Sequence, residues 1–128
     1  MSDSAALKVF VQSFLHANLE QMQPQSATSG KVHLEVWRTP QKRRTLGVEM
    51  GHDGLVNIWL KALNVPRNLP PTIGVVKKRW TGGGWTDDAR KGANSNLLGY
   101  EDFHTHPISR LAVSSIDDAR TLLEALLP

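Results

Sequence analysis

Between Ser4 and Met22 the apolar residues Leu7, Phe10, Val11, Phe14, Leu15, Leu19 and Met22 recur at intervals of three and four, the period of one face of an α-helix. Lys8, Gln12, Ser13 and Glu20 fall between them. The stretch predicts an amphipathic helix whose stripe packs across a sheet. Pro24 and the small polar residues after it end that helix in a loop over 23–30, because proline lacks the N–H that a continued helix needs.

From Lys31 the period falls to two. Val32, Leu34 and Val36 alternate with His33, Glu35 and Trp37, and after a turn at Thr39-Pro40-Gln41-Lys42, Leu46, Val48 and Met50 alternate with Thr45, Gly47 and Glu49. This pattern predicts a β-hairpin. A second turn at His52-Asp53-Gly54 leads to a strand over Leu55 to Leu63, in which Val56, Ile58 and Leu60 oppose Asn57, Trp59 and Lys61. Three prolines in Asn64 to Pro71 remove backbone donors and make that block a connection. Thr72 to Trp80 reads as a fourth strand, Thr81 to Asn94 as a long glycine-rich loop, and Ile108 to Val113 as a short fifth strand. A final helix opens at Ser115-Ile116-Asp117-Asp118 and runs to Leu127, with Ala119, Leu122, Leu123 and Leu126 on one face. The expected fold is a single α+β domain spanning 1–128: an N-terminal helix, an antiparallel sheet of four to five strands and a C-terminal helix.

Composition narrows the chemistry. The 128 residues, 40% of them hydrophobic, suffice for one core, and no apolar run is long enough to span a bilayer. The polar start lacks the basic region of a signal peptide, so the expected location is the cytoplasm, away from membranes. The absence of cysteine excludes disulfides, thiolate metal clusters and cysteine nucleophiles. No GxSxG elbow is present, and the triple glycine at 82–84 has neither a following GKS or GKT nor dinucleotide-loop spacing. No resident cofactor is expected.

The net charge of +3 is unevenly spread. Residues 31–91 hold twelve Lys/Arg against five Asp/Glu, whereas both flanks are net acidic. The cations cluster at Lys42, Arg43 and Arg44, at Lys77, Lys78 and Arg79, and at Arg90 and Lys91, interleaved with Trp80 and Trp85 and followed by Asn94-Ser95-Asn96. Cations at strand ends can grip phosphates, indoles can stack on bases and amides can read base edges. These thirteen positions form the expected nucleic-acid interface. Trp37 and Trp59, on strands, are expected to pack rather than stack. Trp85, between glycines and aspartates, is expected to be partly exposed.

A second pattern lies near the C-terminus. His104-Thr105-His106-Pro107, seven residues and then Ser115-Ile116-Asp117-Asp118 resemble the HxHP and SxxD signature of the JAMM zinc metalloproteases, over about fifteen residues. The resemblance implies zinc on His104, His106 and Asp118, Ser115 beside it, and Glu35 or Glu49 as proton carrier. Two imidazoles and a carboxylate would leave a coordination position open for water. Read locally, Ser115 and Asp118 are equally a capping box at a helix start. The favoured reading is a non-catalytic nucleic-acid-binding module, DNA before RNA, free-standing or part of a larger DNA-processing protein. The zinc hydrolase is the first alternative, and a protein-interaction domain, with a homodimer or partner domain open, is the second.

Overall fold

The computed structural model describes residues 3–25, 33–41 and 43–127. Residues 26–30 of the expected loop, Lys31 and Val32 of the expected first strand, and Lys42 lie outside the described residues. The elements are α1 (Asp3–Asn18), β1 (Glu20–Met22), β2 (Glu35–Arg38), β3 (Thr45–Glu49), β4 (Val56–Lys61), β5 (Gly74–Trp80), β6 (Trp85–Thr86), β7 (Ile108–Val113) and α2 (Ile116–Leu126). The strands form one seven-stranded sheet in the order β1-β2-β3-β4-β7-β5-β6, with every neighbouring pair antiparallel. The α+β class with a helix at each end is as the periodicity predicts.

The strand number is not. Four to five strands were expected because both edge strands are too short to show a period. The N-terminal helix stops at Asn18, not Met22, and Glu20 to Met22 turn back to pair with Arg38 to Val36. At the other edge, Thr81 N donates to Gly84 O at 2.9 Å, and Gly82 takes φ +95, a conformation natural to glycine. That turn returns Trp85 and Thr86 onto Trp80 and Arg79. The expected long loop therefore begins as a hairpin.

Alternation in the strands fills both faces. Leu46, Val48, Val56, Ile58, Leu60, Leu111 and Val113 meet Leu7, Val11, Leu15, Leu122, Leu123 and Leu126 of the two helices. On the second face Val36, Trp59 and Ile108 meet Leu97, Tyr100 and Phe103, carried by two short 3-10 turns over Ser95–Gly99 and Glu101–Phe103. All of β3 is buried as a result.

Register defines two ends of the sheet. Leu46, Leu60, Ser109 and Lys77 form one cross-strand row near the β2–β3 turn. Glu49, Asn57, Ala112 and Gly74 form another near the β3–β4 turn. Both helices start at the Glu49 end, where Ser4 Oγ accepts Gly54 N at 3.2 Å and Ser115 Oγ caps α2 through Asp118 N at 3.1 Å. They finish at the opposite end, where the Arg44 guanidinium donates to Leu126 O at 2.8 Å. A cation there also complements the negative end of the helix dipole. Among the described residues no helix is long and apolar enough to cross a membrane.

Gly47 is where the second layer comes closest. A Cβ there would lie 3.0 Å from Leu97 Cδ2 and 3.3 Å from both Leu34 Cδ1 and Trp59 Cβ. Gly47→Ala is expected to lower stability by about 1–3 kcal/mol through overpacking, read from the denaturation midpoint; an unchanged midpoint would show that the second layer yields freely.

Candidate nucleic-acid interface and the Glu49 network

The three basic clusters divide once their neighbours are known. Thr39 closes the β2–β3 turn, with Thr39 N to Arg44 O and Arg44 N to Thr39 Oγ1 both at 2.8 Å. This leaves Arg43 exposed, at φ +53. Arg44 is half-buried, and its guanidinium is engaged at the end of α2 through Leu126 O. In β5, Lys77 and Arg79 are exposed, but Lys78 is only 2% exposed. Lys78 projects onto the second face, with Nζ 2.8 Å from Asp87 Oδ2 and 3.3 Å from Lys91 O. A buried ammonium so paired does not reach a phosphate, so Lys78 leaves the interface. Arg79 holds Asp88 at 2.9 Å in a pair exposed on both sides, a weak contact that another anion can replace.

Asp87 organises the rest of the loop. Its Oδ1 accepts the amides of Ala89 and Lys91, each at 2.9 Å. The Lys78 hydrogen bond and the Lys91 amide, against the opposing effect of desolvation and with the Lys78 charge and the Ala89 amide adding less, hold its pKa down to about 2. Arg90 and Lys91 are exposed on the loop so fixed, Arg90 at φ +62.

The tryptophans and amides depart further from expectation. Trp85 is 6% exposed, not a partly exposed indole, and its Nε1 donates to His106 O at 2.8 Å. The hairpin lays it against Ile108 and Phe103 rather than leaving it among glycines. Trp80 is half-buried, edge-on to Trp85 at 5.0 Å and stacked at 24° on His104. Asn94 gives Nδ2 to Glu49 Oε2 at 2.7 Å, and its Oδ1 accepts Asn96 N at 2.9 Å. Asn96 is buried, and Ser95 is exposed between them. The Asn94 side chain therefore caps the 3-10 turn while holding Glu49, and the Asn96 side chain is buried.

The histidine motif does not assemble the implied zinc site. His104 and His106 precede β7, while Asp118 follows it, and a six-residue strand spans about 17–20 Å. His104 Nε2 lies 2.7 Å from Leu98 O, and Asp118 Oδ2 accepts Thr72 Oγ1 at 2.5 Å. Glu35 is on the helix side, accepting from Gln12 at 3.0 Å and Trp37 at 3.2 Å. Among the described residues no three His, Asp or Glu side chains are grouped so as to hold a metal ion. The local reading of Ser115 as a helix cap is the one realised.

A polar network that the sequence pattern barely signals lies at the opposite end of the sheet. Glu49, 4% exposed, receives Asn57 Nδ2 at 3.1 Å and Asn94 Nδ2 at 2.7 Å, and His52 Nε2 lies 3.0 Å from its Oε1. Burial pushes its pKa up, but the donors from Asn94, Asn57, Trp59 and His52 outweigh this and leave it below the usual value. The Trp59 indole N–H is directed at this carboxylate yet meets hydrogen-bond geometry with no acceptor. The only sequence signal was polar residues, Glu49 and Asn57, at inward positions of two neighbouring strands.

Both depressed carboxylates act in the same direction. Their contribution to stability is complete above the unfolded pKa near 4 and is lost as pH falls through the lower native value, about 2 for Asp87. The amide resonances of Ala89 and Lys91 should hold their positions on acidification to about pH 4 and move between there and about 2. Asp87→Asn, which leaves a buried ammonium unpaired, should lower the melting temperature more than Lys78→Met. The reverse order would show that the pair does not fix the loop.

No family model, curated protein or solved structure matches the chain.

Proposed function

We propose that this chain is a nucleic-acid-binding module, DNA before RNA, that grips the phosphate backbone along the outer edge of β5 and the 87–91 loop. One observation carries the reading. The Lys78–Asp87 pair folds inward, while Lys77, Arg90 and Lys91 stand exposed with no carboxylate partner among the described residues. Arg79 adjoins them in an exposed pair, and Arg43 sits at the same end of the sheet, about 14 Å across three strand spacings. Fixed cations at that spacing suit phosphate contacts, which set affinity and salt dependence and carry no sequence information directly.

A second reading has its own observation. Gly74 to Lys78 pair only with β7, since β6 reaches no further than Arg79. Val75, at that open edge, is 42% exposed. An extended segment of a partner protein can add to such an edge.

Titration with duplex DNA, single-stranded DNA and RNA over a range of salt concentrations separates these readings. Binding is expected to weaken steeply with salt, with Lys77→Ala and Lys91→Ala each flattening the slope by about one unit and Lys78→Met leaving it unchanged. Slopes unaltered in both alanine variants, or no binding to any of the three, would overturn the nucleic-acid reading and favour the protein partner.

A further inference from the structure

The row Glu49, Asn57, Ala112 and Gly74 differs from the rest of the second face in being left uncovered at one side. Glu49 and Asn57 are buried, Ala112 is half-buried and Gly74 is exposed. A Cβ at Gly74 would meet only the Ala112 Cβ, at 3.8 Å, so these two small residues make a flat, open floor. In the adjoining row, Trp59 and Val76 flank Arg110, whose half-exposed guanidinium lies 5.9 Å from the centre of the Trp59 ring.

The polar groups bordering that floor are incompletely used. Asn57 gives its amide N–H to Glu49, and its Oδ1 has no partner among the described residues. The Glu49 carboxylate is held in place by Asn57, Asn94 and His52, and its Oε2 receives one hydrogen bond, leaving acceptor capacity. Trp59, 2% exposed, has its buried indole N–H directed at the same carboxylate from beneath, outside strict hydrogen-bond geometry.

We propose that this shelf is a subsite for one unpaired nucleobase bearing an exocyclic amine, as cytosine and adenine do. The floor takes the flat ring, and Glu49 and the Asn57 Oδ1 accept from the amine, with the buried Trp59 N–H behind the Glu49 carboxylate. Arg110 is placed for the attached phosphate. In a duplex the flat face of each base is stacked on its neighbours and cannot lie on this floor, so the subsite takes single-stranded or extruded nucleotides. The inference rests on the nucleic-acid reading above and assigns it a second region, on the opposite side of β5 from the exposed Lys77 side chain.

The full-length chain, labelled with ¹⁵N, is titrated with oligo-dC, oligo-dT and an abasic oligomer of equal length. Oligo-dC is expected to bind about tenfold more tightly than the abasic strand and to move the Trp59 indole N–H resonance, assigned through Trp59→Phe. Gly74→Val fills the floor without touching the Glu49 network, and it should remove the preference for dC over dT and abasic strands while leaving the salt slope intact. Glu49→Gln should do the same if it folds. Equal binding of the three oligomers with an unmoved indole and a normal salt slope would overturn the subsite and leave the phosphate grip standing. Failure of all three to bind while duplex DNA still binds would likewise overturn the subsite and leave the phosphate grip standing; failure of duplex DNA and RNA as well would remove both.

Discussion

A sheet that is apolar on both faces must be covered twice, and this chain places both of its helices on the same side. The second face is closed instead by the segment from Gly92 to Pro107, which contains only two 3-10 turns. Short 3-10 turns form few internal hydrogen bonds and do not stand alone. Leu97, Tyr100 and Phe103 bury enough apolar surface to seat them, and polar pegs set their position. Glu49 holds Asn94 at one end, Thr45 donates to Asp102 at 2.5 Å at the other, and the Gln25 backbone and side chain secure Gly99 and Glu101. Gly47 completes the fit by letting Leu97 approach the backbone.

The same architecture explains where the charges went. The ends of two parallel helices gather at one end of the sheet, and a cation there satisfies carbonyls that have no intrahelical partner. Arg44 serves that role. A β5 residue on the covered face must be apolar or paired, and Lys78 is paired with Asp87. Clustering in sequence is therefore a poor guide to clustering on the surface. Within Lys77-Lys78-Arg79, strand alternation sends the middle residue to the opposite face from its neighbours.

Legibility followed periodicity. The apolar stripes of α1 and α2 and the alternation in β3, β4 and β7 were readable because each element spans more than one period. β1 and β6 span three and two residues and were not. The Ser115 cap was readable because its signature is local. The burial of Trp85 and the roles of Asn94 and Lys78 depend on partners far along the chain or on the other side of a turn, His106, Glu49 and Asp87. Local composition read that glycine-rich segment as open, while the hairpin turn at Gly82 brought its indole under cover. The HxHP and SxxD residues failed as a site for a related reason: strand β7 lies between them, and a strand holds its ends apart where a loop can draw them together.

Rigidity in the 87–91 loop bears on what such a surface can bind. A mobile basic loop loses conformational freedom when it meets a polyanion, and this lost entropy subtracts from affinity. Here Asp87 fixes the loop within the folded chain, through two backbone amides and the Lys78 ammonium. The loop that carries Arg90 and Lys91 is thus anchored to β5 by an internal ion pair, on the strand that also carries Lys77 and Arg79. The cost of ordering is met in folding, which leaves the exposed cations to act on whatever anion approaches the β5 edge.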